Sequence, residues 1–488
     1  MKVLMFGWEF PPHISGGLGT ACYGLTKGLA KQKDLELIFV VPKLHGDEDS
    51  SVAELIGAGD VFVRQTRFDY REFWKKNKIE AERYYKEAHK DDIITEKTSE
   101  VFREISYIEI KSLIQPYLSP EEFDVFLKEK KLDHTKIKVN KDGRFFYMNE
   151  GIVTEIETGF SVETEYNEAE AKYYFSGKYG SNLMQEVANY AKVAAVIAKQ
   201  NTFDIIHAHD WLTYAAGIAA KHISGKPLVI HVHATEFDRG GEHQINSEVY
   251  ALEKAGMEHA DRIITVSNLT RNIVINKYGI DPRKVFTVYN AVEPQLGEDK
   301  IFTKTVDEKI VTFLGRITYQ KGPEYFVKAA AKVLAKVDNV RFVMAGSGDL
   351  LKKMIKYAAK LKITDKFHFT NFLEGEDVTR MFAISDVYVM PSISEPFGIS
   401  PLEAMRSNVP VIISKQSGVA EVLQNAIKVD FWDDDAIADA IYGLISYDGM
   451  SEMFRKKLKP EVDSLKWENA AVQVKNVYDS IFEKKYNS

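Results

Sequence analysis

Short β-branched, apolar runs recur along the chain, each followed by a glycine-rich or polar turn and then by apolar positions at helical spacing. In the first part the runs are "KVLMF", "LELIFVV", "FDIIHA", "PLVIHVH" and "DRIITVS". In the second they are "KIVTFLG", "VRFVMAG", "KFHFT", "DVYVMPS" and "VPVIIS". A strand that is apolar throughout needs cover on both faces, so strands alternating with helices predict parallel sheets sandwiched by helices. Two such series predict an α/β chain of two doubly wound domains, and the chemistry-bearing loops that follow their strands make a cleft between two facing domains the economical expectation. Trp467, Ala471, Val474, Val477 and Ile481 repeat at helical spacing in "SLKWENAAVQVKNVYDSIFEKK", so a terminal helix needs a surface for that stripe.

Between the two series lies a polar stretch, Asn290 to Lys309, with Pro294 and Gly297, which marks a boundary. The expected domains are therefore 1–295, 296–465 and a terminal helix over 466–488. The first carries a long insertion near 46–200, charged and rich in aromatics: "RFDYREFWKKN", "ERYYKEAHK" and "EAKYYFSGKYG". Helices with aromatic core faces and solvated outer faces are one reading of it. Aromatic side chains stacking on a carbohydrate are the other.

Composition narrows the class. The 488 residues exceed one ordinary core, and 45% apolar with 28% charged residues is usual for a water-exposed globular chain. A formal charge of −7, with no basic stripe, argues against nucleic acid as a partner. Cys22 is the only cysteine, which excludes an intrachain disulfide and a cysteine-based zinc site. "MKVLMFGWEFPP" reads as a first buried strand rather than a leader, since its apolar run is short and ends at Pro11-Pro12. No stretch has the length of a membrane span, and the expected location is cytoplasmic. Oligomeric state is not encoded in any pattern here.

The chemistry-bearing residues follow strands, where open parallel sheets bind ligands. "FDIIHA" leads to His209-Asp210-Trp211, "PLVIHV" to His233, "KIVTFLG" to Arg316 and Lys321, and "VRFVMA" to Gly346-Ser347-Gly348. Gly16, Gly17 and Gly19 stand between the first strand and a helix, where glycine lets an anion approach the backbone and helix amides hold it. A tight strand-to-helix turn also uses glycine. The dinucleotide fingerprint fails at Cys22 and again at Leu351, which disfavours a dehydrogenase. Arg316 and Lys321 flank a turn and could neutralise a departing diphosphate. His207/His209 and His231/His233 alternate on strands without H-E-x-x-H or a cysteine ligand, so they read as hydrogen-bonding residues, not a zinc site. The acidic triplets Asp47–Asp49 and Asp433–Asp435 read as a solvated loop and a helix cap, so no metal is assigned.

"SISEPFGISPLEAM" holds two glutamates. Pro396 keeps Glu395 in a loop, facing amides of Phe397, Gly398 and Ile399 that could hold a ligand. Ser400-Pro401-Leu402-Glu403 has the form of a capping box, with Pro401 at the first helical position, so Glu403 could simply bond back to the Ser400 amide. Sugar hydroxyls want carboxylate acceptors, and phosphates want amides and cations. A sugar attached to a diphosphate wants both.

Taken together, "SGGLG", "HAHDW", "GRITYQKG" and "PFGISPLEAM" resemble retaining glycosyltransferases of the two-Rossmann-domain (GT-B) type, closest to the glycogen/starch synthase group and related family 4 enzymes. The resemblance implies glucose transfer, with retained anomeric configuration, from ADP-glucose or UDP-glucose to the non-reducing end of an α-1,4-glucan. It implies no cofactor and no metal. Arg316 and Lys321 would hold the diphosphate, Gly17 would approach it from the other domain, and Glu395 would lie by the sugar hydroxyls. Glu403 would accept from the ribose, His233 would bond the sugar's primary hydroxyl, and Asp210 would lie near the acceptor. The terminal helix would return to the first domain. Bacterial ADP-glucose enzymes have lysine where Ile14 stands, so the donor base stays open. Sucrose-type and mannosyl-transferring relatives share these motifs, and an NDP-sugar epimerase or hydrolase on the same fold is a further alternative. A sugar- or nucleotide-sensing module without turnover has less need of Arg316, Lys321 and Glu395.

Overall fold

The computed structural model describes residues 1–14, 16–63, 137–139, 145–149, 152–156, 172–177, 179–180, 183–241, 245–293, 302, 304, 306–373 and 375–486. Two parallel sheets dominate. The first runs through β1 (Lys2–Phe6), β2 (Glu36–Val41), β3 (Glu54–Gly57), β7 (Ile205–His209), β8 (Leu228–Val232), β9 (Arg262–Thr265) and β10 (Val285–Thr287), in the order β10-β9-β8-β7-β1-β2-β3. The second contains β11 (Lys309–Leu314), β12 (Val340–Ala345), β13 (Phe367–Thr370), β14 (Val387–Met390), β15 (Val411–Ser414) and β16 (Ile427–Val429), in the order β13-β12-β11-β14-β15-β16. In each sheet the first strand sits inside and the order reverses beside it. That reversal is the doubly wound pattern, and it opens a ligand crevice at the strand ends.

Burial explains why these residues make strands. Every residue of β7, β8, β14 and β15 is buried, which a strand covered on both faces requires. Around the second sheet, one layer packs Phe313, Phe326, Phe342 and Phe367 with Ile437 and Ile441. A separate cluster gathers Tyr388, Phe397, Leu402, Val411 and Leu423. In the first sheet, buried Tyr190 ties two strand ends together, its hydroxyl donating to the carbonyls of Val40 (2.7 Å) and Gly7 (3.1 Å).

The ten strands read from the apolar runs are present. Three edge strands, β3, β10 and β16, are additional: they are short and less buried, so their apolar signal is weak. The 46–200 region is also not all insertion. β3 pairs with β2 in parallel, and a helix at Leu183–Gln200 buries eleven of its residues. Between them, β4 (Ile137–Val139), β5 (Phe145–Asn149) and β6 (Ile152–Ile156) form a small antiparallel sheet, where the aromatic pattern had suggested helices. "RFDYREFWKKN" and "ERYYKEAHK" lie outside the described residues, as do residues 294–301, 303 and 305 of the 290–309 boundary. In "EAKYYFSGKYG", Phe175 and Tyr179 are core residues on irregular chain rather than on a helix.

The described chain separates into two compact units. One comprises Met1–Ser15, Ile38–Leu228 and Ile245–His259; the other comprises Gly16–Leu37, Val229–Gln244 and Ala260–Ser488. Within the second unit the Trp467–Tyr486 helix lies against the Gly17–Ala30 helix. Glycine makes this approach possible: a Cβ at Gly24 would sit 2.3 Å from the Trp467 ring, and one at Gly28 would sit 2.6 Å from the Trp467 carbonyl. Arg262 fastens the far end, donating to the hydroxyl (3.1 Å) and carbonyl (3.0 Å) of Ser480. Among the described residues, no helix is long and apolar enough to cross a membrane.

Candidate active site

Gly17, His233, Arg316, Lys321, Gly346, Glu395, Phe397, Gly398, Ile399 and Glu403 belong to the second unit, and Asp210 to the first. Arg316 and Lys321 follow β11, and the Arg316 guanidinium donates to the Gln320 amide oxygen at 3.1 Å. Lys321 reaches Glu395, 74 residues away, in a close ion pair, and the Ser392 hydroxyl adds a bond to the same carboxylate oxygen at 3.2 Å. Glu395 is 7% exposed. Its main chain is held on both sides: its N–H donates to Gln416 O (3.0 Å), and its carbonyl accepts from Gly418 N (2.9 Å). The Ile393 N–H donates to Gln320 O at 2.8 Å, tying the glutamate loop to the Arg316–Lys321 turn. Lysine, arginine and the loop carboxylate thus share one neighbourhood.

Past Glu395 the chain turns through Gly398 at φ +97° into the Ser400–Arg406 helix. Among the described residues, the N–H groups of Phe397, Gly398 and Ile399 donate to no protein acceptor. The expected capping box does not form. Ile399 is the N-cap, and the Ser400 hydroxyl instead pairs with the Tyr388 phenol at 2.8 Å. The physical reason is the helix start: with Ser400 already inside the first turn, its side chain cannot reach back over that turn's amides. Glu403 is therefore not used as a cap. Burial pushes its carboxyl above the usual range, and Arg406 partly opposes this. No described side chain or amide donates a hydrogen bond to it. A half-buried carboxylate in that state is an open acceptor beside a row of open donors.

The two glycine motifs separate in kind. Gly346 has φ +141°, and a Cβ there would lie 1.9 Å from the Gly315 carbonyl, so the packed ends of β11 and β12 themselves demand glycine. Gly16 is extended at φ −178°, which any residue adopts, and neither Gly16 nor Gly17 would bring a Cβ within 4 Å of another atom. The protein's own packing does not explain these exposed glycines. They open a helix whose first turn carries no side-chain cap and no acid, the arrangement that suits an incoming anion.

His233 follows β8. Burial drives its pKa down to about 3, so the imidazole is neutral and can donate and accept. Its ring stacks on His231 with centroids 4.4 Å apart, and Nε2 lies 3.9 Å from the Cys22 sulfur. In the first unit His207 and His209 stack likewise at 4.2 Å. Asp210, also in that unit, is buried at φ +63° between β7 and the Trp211–Ser224 helix, a strained conformation for an aspartate. The acidic triplets are occupied within the protein. Glu48 accepts from the His45 and Gly46 amides, Asp47 meets His13 at 2.7 Å, Asp433 caps a helix, and Asp434 and Asp435 pair with Lys332.

Sequence reasoning passed over Asp238. The Thr235 amide and hydroxyl both donate to its Oδ2 at 2.8 Å, and the Ser394 hydroxyl donates to its Oδ1 at 2.6 Å. The T-E-F-D spacing, a capping pattern, was the signal available for it.

Two Rossmann-like parallel sheets and this set of cations, carboxylates and open amides define a GT-B glycosyltransferase. Residues 163–296 match the family described as Glycosyltransferase Family 4, and residues 297–459 match Glycosyl transferases group 1. A glycosyltransferase of Methanocaldococcus jannaschii is 34% identical over 298 residues, covering 58% of this chain and 76% of that protein. The α-maltose-1-phosphate synthase of Mycolicibacterium smegmatis is 31% identical over 287 residues, covering 54% and 69%. In fold, the sucrose-phosphate synthase of Thermosynechococcus elongatus superposes with a TM-score of 0.61 at 14% identity, over 99% of both chains. The chain belongs to the group 1 and family 4 glycosyltransferases, which makes it a hexosyltransferase.

Proposed function

We propose that this chain transfers glucose from a nucleotide diphosphate glucose to the end of an α-glucan, with retention at the anomeric carbon, in the cytoplasm and without a metal. The observation that carries the reading is the Lys321–Glu395 pair, set beside Arg316 and the open amides of residues 397–399. Breaking the sugar–phosphate bond places new negative charge on the leaving diphosphate. Fixed cations and amides stabilise that charge at little reorganisation cost, and one such donor is worth on the order of 100 to 1000-fold in rate. Glu395 accepts sugar hydroxyls while orienting the lysine, and Glu403 accepts the ribose hydroxyls. Neutral His233 bonds the sugar's primary hydroxyl, Gly17 admits the phosphates to its helix, and Asp210 serves the acceptor. Glu395 is already engaged by Lys321 and Ser392, which favours same-face attack, with the departing phosphate taking the acceptor's proton, over a covalent glycosyl-enzyme.

A second reading follows from the 31% identical relative, whose name states a sugar 1-phosphate product: the acceptor is then a sugar phosphate rather than a glucan. The test supplies ADP-glucose and UDP-glucose separately, with glycogen, with glucose 1-phosphate, or with no acceptor. Released nucleotide and incorporated glucose are measured. Glucose incorporation into glycogen supports the first reading, and a phosphorylated disaccharide supports the second. Release of free glucose alone, or epimerised donor, overturns both.

A further inference from the structure

We propose that Asp238 is a positioning residue which, through the hydroxyl of Ser394, sets the placement of the Glu395 loop against the Arg316–Lys321 turn. The inference rests on the site reading above and adds a residue to it. Asp238 is 2% exposed and divides its two oxygens between two tasks. Oδ2 takes both Thr235 donors and so closes the first turn of the Glu236–Gly240 helix, whose N-cap Thr235 lies two residues beyond His233. Oδ1 takes the Ser394 hydroxyl at 2.6 Å, across 156 residues of chain. Ser394 immediately precedes Glu395, and the next residue back, Ile393, is bonded to Gln320, whose side chain holds Arg316. One buried carboxylate therefore joins the turn after His233 to the segment that carries Glu395.

Other holds on the loop come from other directions: Gln320 O at Ile393, Gln416 and Gly418 at the Glu395 main chain, Lys321 and Ser392 at the Glu395 carboxylate, and Val419 at Phe397. Without the Asp238 bond, Ser394 is gripped on its flanks but not from the side of the Thr235 turn. A hydrogen bond from a neutral hydroxyl to a buried carboxylate is at the strong end of the protein range. Reaction rate responds steeply to displacement of a reacting neighbour, about 100-fold for a shift near 1 Å. Partial release of one loop therefore lowers turnover while leaving most donor contacts in place.

The test uses the full chain with the donor and acceptor that the preceding assay identifies. Ser394→Ala removes the bond and leaves the Thr235–Asp238 turn intact, so folding is preserved; its expected effect is a fall in kcat of about tenfold, with donor KM changed by less than about threefold. Ser394→Thr retains the hydroxyl and restores most of the loss. Asp238→Asn, alone and combined with Ser394→Ala, completes a cycle in which the double variant is no slower than Asp238→Asn alone. Wild-type kcat in Ser394→Ala, or independent and additive losses in the cycle, overturns the proposal. So does a loss in Ser394→Ala that tracks a lowered melting temperature and is not rescued by threonine. If wild-type protein transfers sugar and Ser394→Ala is silent, only this inference fails. If wild-type protein transfers nothing, the site reading fails first.

Discussion

Replacing Lys321 with alanine separates charge stabilisation of a leaving group from simple structural pairing. The Lys321 side chain is 19% exposed and that of Glu395 9%, so the pair is largely desolvated. Removing the ammonium leaves the Glu395 carboxylate with the Ser392 hydroxyl at 3.2 Å as its remaining side-chain donor. Stranding a fully buried charge costs about 3–5 kcal/mol, and the partial exposure of the lysine reduces this to about 2 kcal/mol. The melting temperature should fall by a few degrees. The catalytic loss has a separate origin, since the diphosphate loses a fixed cation, and kcat should fall by about 100-fold or more. Adding Glu395→Gln to Lys321→Ala distinguishes the two effects. The neutral amide is no longer a stranded charge, so melting recovers while turnover does not. Stopped assays of nucleotide release, run beside thermal melts, read both quantities. A folded Lys321→Ala enzyme with kcat within about tenfold of wild type refutes the assignment. Recovery of turnover together with stability in the double variant refutes it as well.

Three further outcomes are expected. His233 has a folded-state pKa near 3 against an ordinary 6.5, so the unfolded chain binds the extra proton first; stability should fall by about 2 kcal/mol between pH 6.5 and pH 5, and urea titrations of His233→Asn should show a flatter dependence. Glu403 has a raised pKa, so its ionisation opposes folding as pH rises; Glu403→Gln should melt slightly higher than wild type at pH 8 and still show a donor KM raised by about tenfold, measured by initial rates. Gly24→Ala should cost about 1–3 kcal/mol of stability, since its Cβ would meet the Trp467 ring at 2.3 Å, and a thermal melt checks this.

How far the sequence could be read depended on where the signal was stored. Strands buried on both faces, such as "IIHAH" and "LVIHV", were visible because every position is apolar or tolerates burial. β16, with two of three residues half-buried, offered too short a pattern. The residues after strands were selected from motif spelling, which is local and can be read without the fold. Their partners were not. The Lys321–Glu395 and Asp238–Ser394 contacts span 74 and 156 residues, and no local periodicity encodes a pairing at that separation. The Ser400–Glu403 pattern misled for the opposite reason. Its spelling fits a cap, but the helix begins one residue earlier, with Ile399 as N-cap, which leaves the Ser400 hydroxyl inside the first turn and paired with Tyr388.

The seat of Trp467 on the glycine face of the 17–30 helix has a consequence for synthesis. On the ribosome, one partner emerges on the order of 400 residues after the other, a delay of tens of seconds at ordinary elongation rates. Until then the groove over Gly24 and Gly28 stays uncovered in the nascent chain, and a long-range closure of this kind is among the last events of folding. Chaperone binding during translation should therefore concentrate on that groove.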